Sequence, residues 1–83
     1  MTAQEEIKLV RAIGKALRQE REEYPMSQVV LGNLIGMSNK QVHKMEMGGD
    51  VEGMKVLYVA KVLSALNANF PRFIERVKHW MAQ

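Results

Sequence analysis

The stretch SQVVLGNLIGMSNKQVHKMEMGG, residues 27–49, interrupts a helical pattern with two glycines that lie four residues apart. Ser27 is a good N-cap for a helix, and Gly36 is a typical residue for a helix C-terminus because glycine adopts positive φ without a Cβ clash. Ser38 can cap a helix that follows directly. The stretch therefore predicts two short helices joined by a tight turn.

The spacing of small and apolar residues in this stretch fits a helix-turn-helix unit. Gly32 stands where the second of the two helices is expected to cross closely, which explains a glycine that costs a helix about 1 kcal/mol relative to alanine. The residues expected to face inward are all apolar: Val30, Leu31, Leu34, Ile35, Met37, Val42 and Met45. Polar and basic residues then occupy the outward side of the second helix.

The rest of the chain also has helical periodicity, with no strand-like alternation. The first helix begins at a capping box of Thr2 and Glu5 and ends before Pro25, because proline disfavours helical backbone in the residue before it. Its apolar stripe comprises Ile7, Val10, Ile13, Leu17 and Tyr24. The acidic residues Glu20, Glu22 and Glu23 are interpreted as a solvated face.

Two further helices follow the glycine-rich segment 47–53. One is predicted over 54–66, with Leu57, Ala60, Leu63 and Leu66 inside and Asn67 as its left-handed cap. The last begins after Asn69 as N-cap, with Pro71 in its first turn, where the missing N–H costs little. Its apolar residues are Phe70, Phe73, Ile74, Val77 and Met81.

Composition excludes several classes of function. The chain has 83 residues, no cysteine and two distant histidines, so we expect one small domain without disulfide, metal or cofactor. No apolar run approaches the roughly 18–20 residues of a membrane span, and the acidic N-terminus lacks the apolar core of an export signal. Neither paired carboxylates nor a nucleophile with a base are evident, so we expect neither an enzyme nor a small-molecule substrate. The net charge of +3 permits nucleic-acid binding without requiring it.

Three segments in this order resemble the Cro/lambda-repressor type, or XRE family, of helix-turn-helix DNA-binding domains. They are IGKALRQER (13–21), SQVVLGNLIGMSNKQVHKMEMG (27–48) and LYVAKVLSALNANFPRFI (57–74), so the resemblance spans about residues 12–75. It implies an all-α, five-helix, lambda-repressor-like domain over 12–83. Residues 1–11 would extend the first helix or form an arm.

The resemblance also implies a function. It indicates a cytoplasmic, nucleoid-associated transcriptional regulator, namely a small bacterial or phage repressor that inserts helix 38–47 into the major groove. Its partner would be double-stranded DNA with a near-palindromic operator, bound by a homodimer that blocks polymerase. No membrane is implied.

Individual residues take roles by matching the family's motif. Asn39, Lys40 and Lys44 match positions that contact base edges, in agreement with the hydrogen bonds that asparagine makes to adenine and lysine to guanine. Gln28, Ser38, Gln41 and His43 match or adjoin positions that contact phosphate or flanking groups. Arg21 and Glu46 match a partly buried ion pair with a structural role.

Two regions leave alternatives open. Asp50 and Glu52 place negative charge in the loop 49–53, where the family's docking would bring phosphates close, and Glu52 occupies the usual position of a serine cap. The last helix, 70–82, either forms a dimer interface through Val77, Trp80 and Met81 or folds these residues back onto the first helix. A protein-binding module on the same scaffold, such as an antitoxin or an adaptor subunit, is the alternative function. The acidic loop and the apolar last helix would then be its working surfaces.

Overall fold

The computed structural model of this chain describes residues 1–49 and 56–83. Within these ranges the chain forms five α-helices and no strand, which confirms the all-α prediction for the described part. The helices are α1 (Ala3–Glu23), α2 (Gln28–Ile35), α3 (Asn39–Glu46), α4 (Val56–Ala65) and α5 (Phe70–Met81). None of them is both long and apolar enough to cross a lipid bilayer.

Local capping signals begin and end these helices where the sequence predicts. Thr2 and Glu5 form the capping box of α1, and the Ser27 hydroxyl accepts a hydrogen bond from the Val30 N–H at 3.1 Å. Gly36 ends α2 in the left-handed conformation with φ of 75°. The remaining predicted caps also hold: Asn67 has a positive φ of 47°, and the Asn69 side chain accepts from the Arg72 N–H at 2.9 Å.

Helix α1 is the scaffold on which the other helices pack. It runs unbroken from Ala3 to Glu23, so residues 3–11 lie in the same helix as the rest of α1. Its most extensive packing is against α5, and it also contacts α3 and α4, while α2 packs on α3 and α4. The core lies where these helices meet, and its fully buried large side chains are Leu17, Leu31, Val42 and Val62.

Burial corrects the predicted inner face of α4. The predicted inner residues Leu63 and Leu66 are buried, at 2% and 4% exposure, whereas Leu57 is 61% exposed and Ala60 is exposed. Val62, which was not predicted, is 0% exposed. Helix α4 is apolar on nearly every side, so more than one stripe has the correct period. The packing of α4 against α1 and α2 selects the stripe that contains Val62, which sequence periodicity could not do.

Other predicted inner residues are exposed as well, because each helix buries only a narrow stripe of its surface. Val30 and Leu34 of α2 are 48% and 60% exposed, while Leu31 and Ile35 of the same helix are buried. The other exposed residues are Ile7 (40%), Tyr24 (55%), Phe70 (57%) and Ile74 (49%). Phe73 is the buried residue of α5.

The interpretation of Glu20 as a solvated residue is wrong. Its side chain is 1% exposed and accepts hydrogen bonds from Arg72 Nη2 at 2.6 Å and Arg76 Nη1 at 2.9 Å. The bond to Glu20 raises the pKa of Arg72. The partners of Glu20 lie more than fifty residues away in the chain, so no local pattern could reveal them. Glu22 and Glu23 are exposed, as predicted.

Two glycines are required by close approach of backbone atoms. At Gly32 a Cβ would overlap the Met37 carbonyl oxygen, so this glycine accommodates the turn before α3 and not the crossing of α3 that the sequence predicted. At Gly14, which sequence reasoning missed, a Cβ would lie 2.7 Å from the Met45 carbonyl oxygen. Gly14 therefore lets α1 contact the end of α3 directly.

Replacement of Gly14 tests this contact. We expect Gly14→Ala to lower the free energy of unfolding by about 1–3 kcal/mol, because the new methyl group must displace backbone. The loss should appear although alanine favours a helix over glycine by about 1 kcal/mol. Urea denaturation followed by circular dichroism measures it.

The matched control for this change is Gly49→Ala. The closest atom to a Cβ at Gly49 would be the Lys44 side-chain Cγ, at 3.3 Å, and that flexible side chain can move; the Lys44 carbonyl oxygen, at 3.6 Å, would be an ordinary contact. We expect the control to change stability much less. A Gly14→Ala protein as stable as the wild type would show that α1 and α3 do not approach as described.

Candidate nucleic-acid interface

Helices α2 and α3 are joined by a tight turn of Gly36, Met37 and Ser38. The Met37 N–H donates to the Gly32 carbonyl at 2.9 Å and closes the end of α2. The Ser38 hydroxyl accepts from the Gln41 N–H at 3.1 Å, and the Gln41 side-chain oxygen accepts from the Ser38 N–H at 2.8 Å. This capping box, which sequence reasoning missed, sets the direction in which α3 leaves the turn.

Helix α3 has one buried side and one exposed side. Val42 and Met45 are 0% and 8% exposed, so they attach α3 to the core as the sequence predicts. The exposed side contains the residues expected to contact DNA: Ser38, Asn39, Lys40, Gln41, His43 and Lys44. Because Gln41 already uses its side-chain oxygen in the capping box, only its amide NH₂ remains to donate to another molecule.

The buried ion pair of Arg21 and Glu46 fixes the C-terminal end of α3. Arg21 Nε and Nη2 donate to the two Glu46 carboxylate oxygens at 2.6 and 3.0 Å, in a bidentate arrangement. Their side chains are 11% and 2% exposed, and the bond to Glu46 raises the pKa of Arg21. Arg21 Nη1 also donates to the Met26 carbonyl at 2.8 Å. One guanidinium of α1 thus holds both α3 and the segment that precedes α2.

Gln28 belongs to the same network. Its Nε2 donates to Glu46 Oε1 at 2.9 Å and lies 3.4 Å from His43 Nδ1. An amide NH₂ has two hydrogens, so one is used by Glu46 and the other points toward His43. If a phosphate oxygen took the place of His43 Nδ1 beside Gln28, the Gln28 amide N–H would already be oriented toward it by the bond to Glu46.

An open groove between α1, α2 and α3 brings several of the predicted residues together. Gln28, Asn39 and His43 line it, and so do Arg18 and Met47. Lys40 and Lys44 lie on α3 outside this lining. Arg18 was missed by sequence reasoning, although its position three residues before Arg21 places it on a neighbouring face of the same helix.

The C-terminal helix folds back onto α1, which is the second of the two alternatives for Val77 and Trp80. Trp80 Nε1 donates to Gln19 Oε1 at 2.7 Å, and Lys15 Nζ lies 4.9 Å from the centroid of the Trp80 ring. Val77 also packs against the core, and Met81 is partly buried. The homodimer stays a prediction. The acidic loop with Asp50 and Glu52 and the predicted first turn of the fourth helix lie outside the described residues.

Comparison of the chain with models of protein families, with curated proteins and with solved structures found no match. The resemblance to the Cro/lambda-repressor type therefore stays a prediction based on the quoted segments. The arrangement of α1, α2 and α3 is the basis on which a function can be proposed.

The role of the ion pair can be tested by Glu46→Gln. The change leaves the Arg21 guanidinium in a buried place without a counter-charge, so we expect a loss of about 3–5 kcal/mol in the free energy of unfolding. Chemical denaturation measures the loss.

Glu22→Gln is the matched control, because Glu22 pairs with Arg18 at 3.4 Å while both side chains are about half exposed. Exposed pairs contribute about 0–1 kcal/mol, so we expect little change. Equal stability losses in the two variants would argue against a special role of Glu46.

Proposed function

We propose that this chain is a sequence-specific DNA-binding transcriptional regulator with a helix-turn-helix of the Cro/lambda-repressor type, in which α3 enters the major groove. The observation that carries the proposal is the division of α3 into two sides. Val42, Met45 and Glu46 hold one side in the core. The opposite side of this eight-residue helix presents only polar and basic side chains. A capping box fixes the start of the helix.

The size and chemistry of α3 suit the major groove. An α-helix with its side chains is about 10–12 Å in diameter, and the major groove of B-DNA is about 12 Å wide. Asn39 can make two hydrogen bonds to adenine, and Lys40 and Lys44 can donate to guanine O6 and N7. These three residues are proposed as the base contacts.

Phosphate contacts are proposed beside the base contacts. Gln28 is the first residue of α2, and the N-terminus of a helix favours an anion through its free N–H groups and its dipole. Its side-chain NH₂ is held by Glu46 at the edge of the groove that Arg18 also lines. Ser38 and His43 are exposed on the same side and are proposed as flanking contacts.

The proposed regulator binds as a homodimer and represses by occlusion. Two α3 helices would lie roughly 34 Å apart, one turn of DNA, on a near-palindromic site. Because Val77 and Trp80 pack within the chain, the pairing surface is proposed on the adjacent stripe of α5, where Phe70 and Ile74 are 57% and 49% exposed and Met81 is partly buried.

A second candidate function is a protein-binding module on the same scaffold. The observation in its favour is a set of exposed apolar residues on α2 and α4, including Leu34 at 60% and Leu57 at 61% exposure. Salt distinguishes the two functions, because binding through several phosphates weakens steeply as salt rises. Apolar contact with a protein lacks this dependence.

The base contacts can be tested with a double variant, Lys40→Ala with Lys44→Ala. Selection of bound sites from random DNA first identifies the preferred sequence of the wild-type protein, and fluorescence anisotropy then measures affinity. We expect each lost base contact to weaken binding to that site by about 1–3 kcal/mol. Discrimination against unrelated DNA should decrease as well.

The charge-matched control is Lys61→Ala with Lys78→Ala, two exposed lysines on α4 and α5. Both double variants remove two positive charges, so a general electrostatic effect would be equal in the two. Unchanged site affinity after loss of Lys40 and Lys44 would contradict the proposed role of α3.

The pairing surface can be tested with Ile74→Glu. A charge in the centre of the proposed interface should convert the dimer to a monomer, measured by sedimentation velocity, because it would have to be desolvated on pairing. Leu34→Glu places the same charge at an equally exposed apolar site on α2 and should leave the dimer intact. The proposed dimer would be contradicted if the wild-type protein sedimented as a monomer without DNA and also bound its selected site as a monomer.

A further inference from the structure

Four basic residues form a stripe along one face of α1. They are Lys8, Arg11, Lys15 and Arg18, and all four are exposed. Their spacing of three, four and three residues places them one above another at 3.6 residues per turn. Glu6 falls off this face, whereas Glu5 lies three residues before Lys8 at the N-terminal edge of the stripe. At the other edge Glu22, four residues after Arg18, pairs with Arg18 at 3.4 Å. The stripe holds four of the 12 lysine and arginine residues of a chain whose net charge is only +3, so its positive charge is locally concentrated.

The stripe begins at the proposed DNA surface. Arg18 lines the same groove as Asn39 and His43 of α3. Further along, Gly48, which follows α3, packs on the main chain of Arg11, so that a Cβ on Gly48 would lie 2.6 Å from Arg11 Cα. The stripe therefore passes beside α3 from the groove to its C-terminal end.

Beyond that point the stripe forms one wall of a second open groove. Lys8, Arg11 and Lys15 line it on α1, and Trp80 with Gln83 close it at the end of α5. Lys15 lies over the face of the Trp80 ring. Within the described part of the chain, the lining includes three positively charged side chains and no acidic side chain.

We propose that this α1 stripe, residues 8, 11, 15 and 18, binds phosphates of duplex DNA next to the bases that α3 contacts. The inference rests on the proposed function and extends it to a second surface. The ten helical steps from Lys8 to Arg18 span about 15 Å, which is the rise of roughly four base pairs. Charges strung along such a length match a row of phosphates, whereas a single small anion needs donors that converge on one point.

Contacts of this kind have a defined effect on binding. Lysine and arginine bound to phosphate strengthen binding to every sequence alike and make it more sensitive to salt, because each contact releases condensed counterions. The stripe is therefore expected to set affinity, while α3 sets sequence preference.

The experiment compares the double variant Lys8→Gln with Arg11→Gln to the charge-matched control Lys61→Gln with Lys78→Gln. Glutamine keeps the Cβ and Cγ of Arg11 that pack near Gly48, and Lys15 is left on Trp80. Fluorescence anisotropy measures the affinity of each full-length protein for its selected site and for unrelated duplex over a range of salt concentrations. Circular dichroism checks that each variant folds.

We expect the stripe variant to weaken binding to both duplexes by the same factor and to reduce the slope of log affinity against log salt by about 2, near 0.9 for each lost phosphate contact. The control should keep the wild-type slope. A stripe variant with the wild-type slope would overturn this inference and leave the proposed function standing if Lys40 and Lys44 are still required. A wild-type protein without salt-dependent duplex binding would overturn the proposed function itself.

Discussion

The position of α3 depends on the bidentate ion pair of Arg21 and Glu46. Two short hydrogen bonds at 2.6 and 3.0 Å join the last turn of the chain's longest described helix to the last residue of α3. The same guanidinium holds the Met26 carbonyl, and the same carboxylate orients Gln28. A buried charge without its partner costs several kcal/mol, so neither residue can leave the pair while the other stays buried. The exposed side of α3 therefore has one orientation relative to the start of α2.

A second buried carboxylate extends this constraint to the other side of α1. Glu20 directly precedes Arg21, and neighbouring side chains on a helix point about 100° apart, since each turn takes 3.6 residues. Glu20 consequently faces α5, where Arg72 and Arg76 donate to it, while Arg21 faces α3. Two adjacent residues of opposite charge thus fix the two helices that flank α1. Trp80 of α5 adds a further hydrogen bond to α1, at Gln19.

The features that sequence reasoning predicted are those that depend on neighbours within four residues. The caps at Ser27, Gly36 and Asn69 are of this kind, as are the inward positions of Val42 and Met45. Most of the features that it missed depend on distant partners: the burial of Glu20, the close approach at Gly14 and the inner position of Val62 on α4. The capping box of Ser38 and Gln41 is the local feature that it missed. At the candidate site, resemblance rather than periodicity indicated the pair of Arg21 and Glu46, and the participation of Arg18 was not foreseen.

Internal pairing also determines where the charge of this chain is available to a partner. Glu20 and Glu46 are neutralised in buried pairs, and Glu22, Glu23 and Glu75 each lie within ion-pair distance of a basic side chain. Among the described residues without such a carboxylate, Lys8, Arg11 and Lys15 lie on the stripe and Lys40 lies on α3, while Lys61 lies on α4. Arg18 of the stripe is itself paired with Glu22. Because α1 and α3 are held as one body by Arg21, Glu46 and Gly14, both sets of cations are pre-oriented before a partner arrives. Under the proposed function, binding of a polyanionic partner to both sets would then require little further ordering of the backbone that carries them.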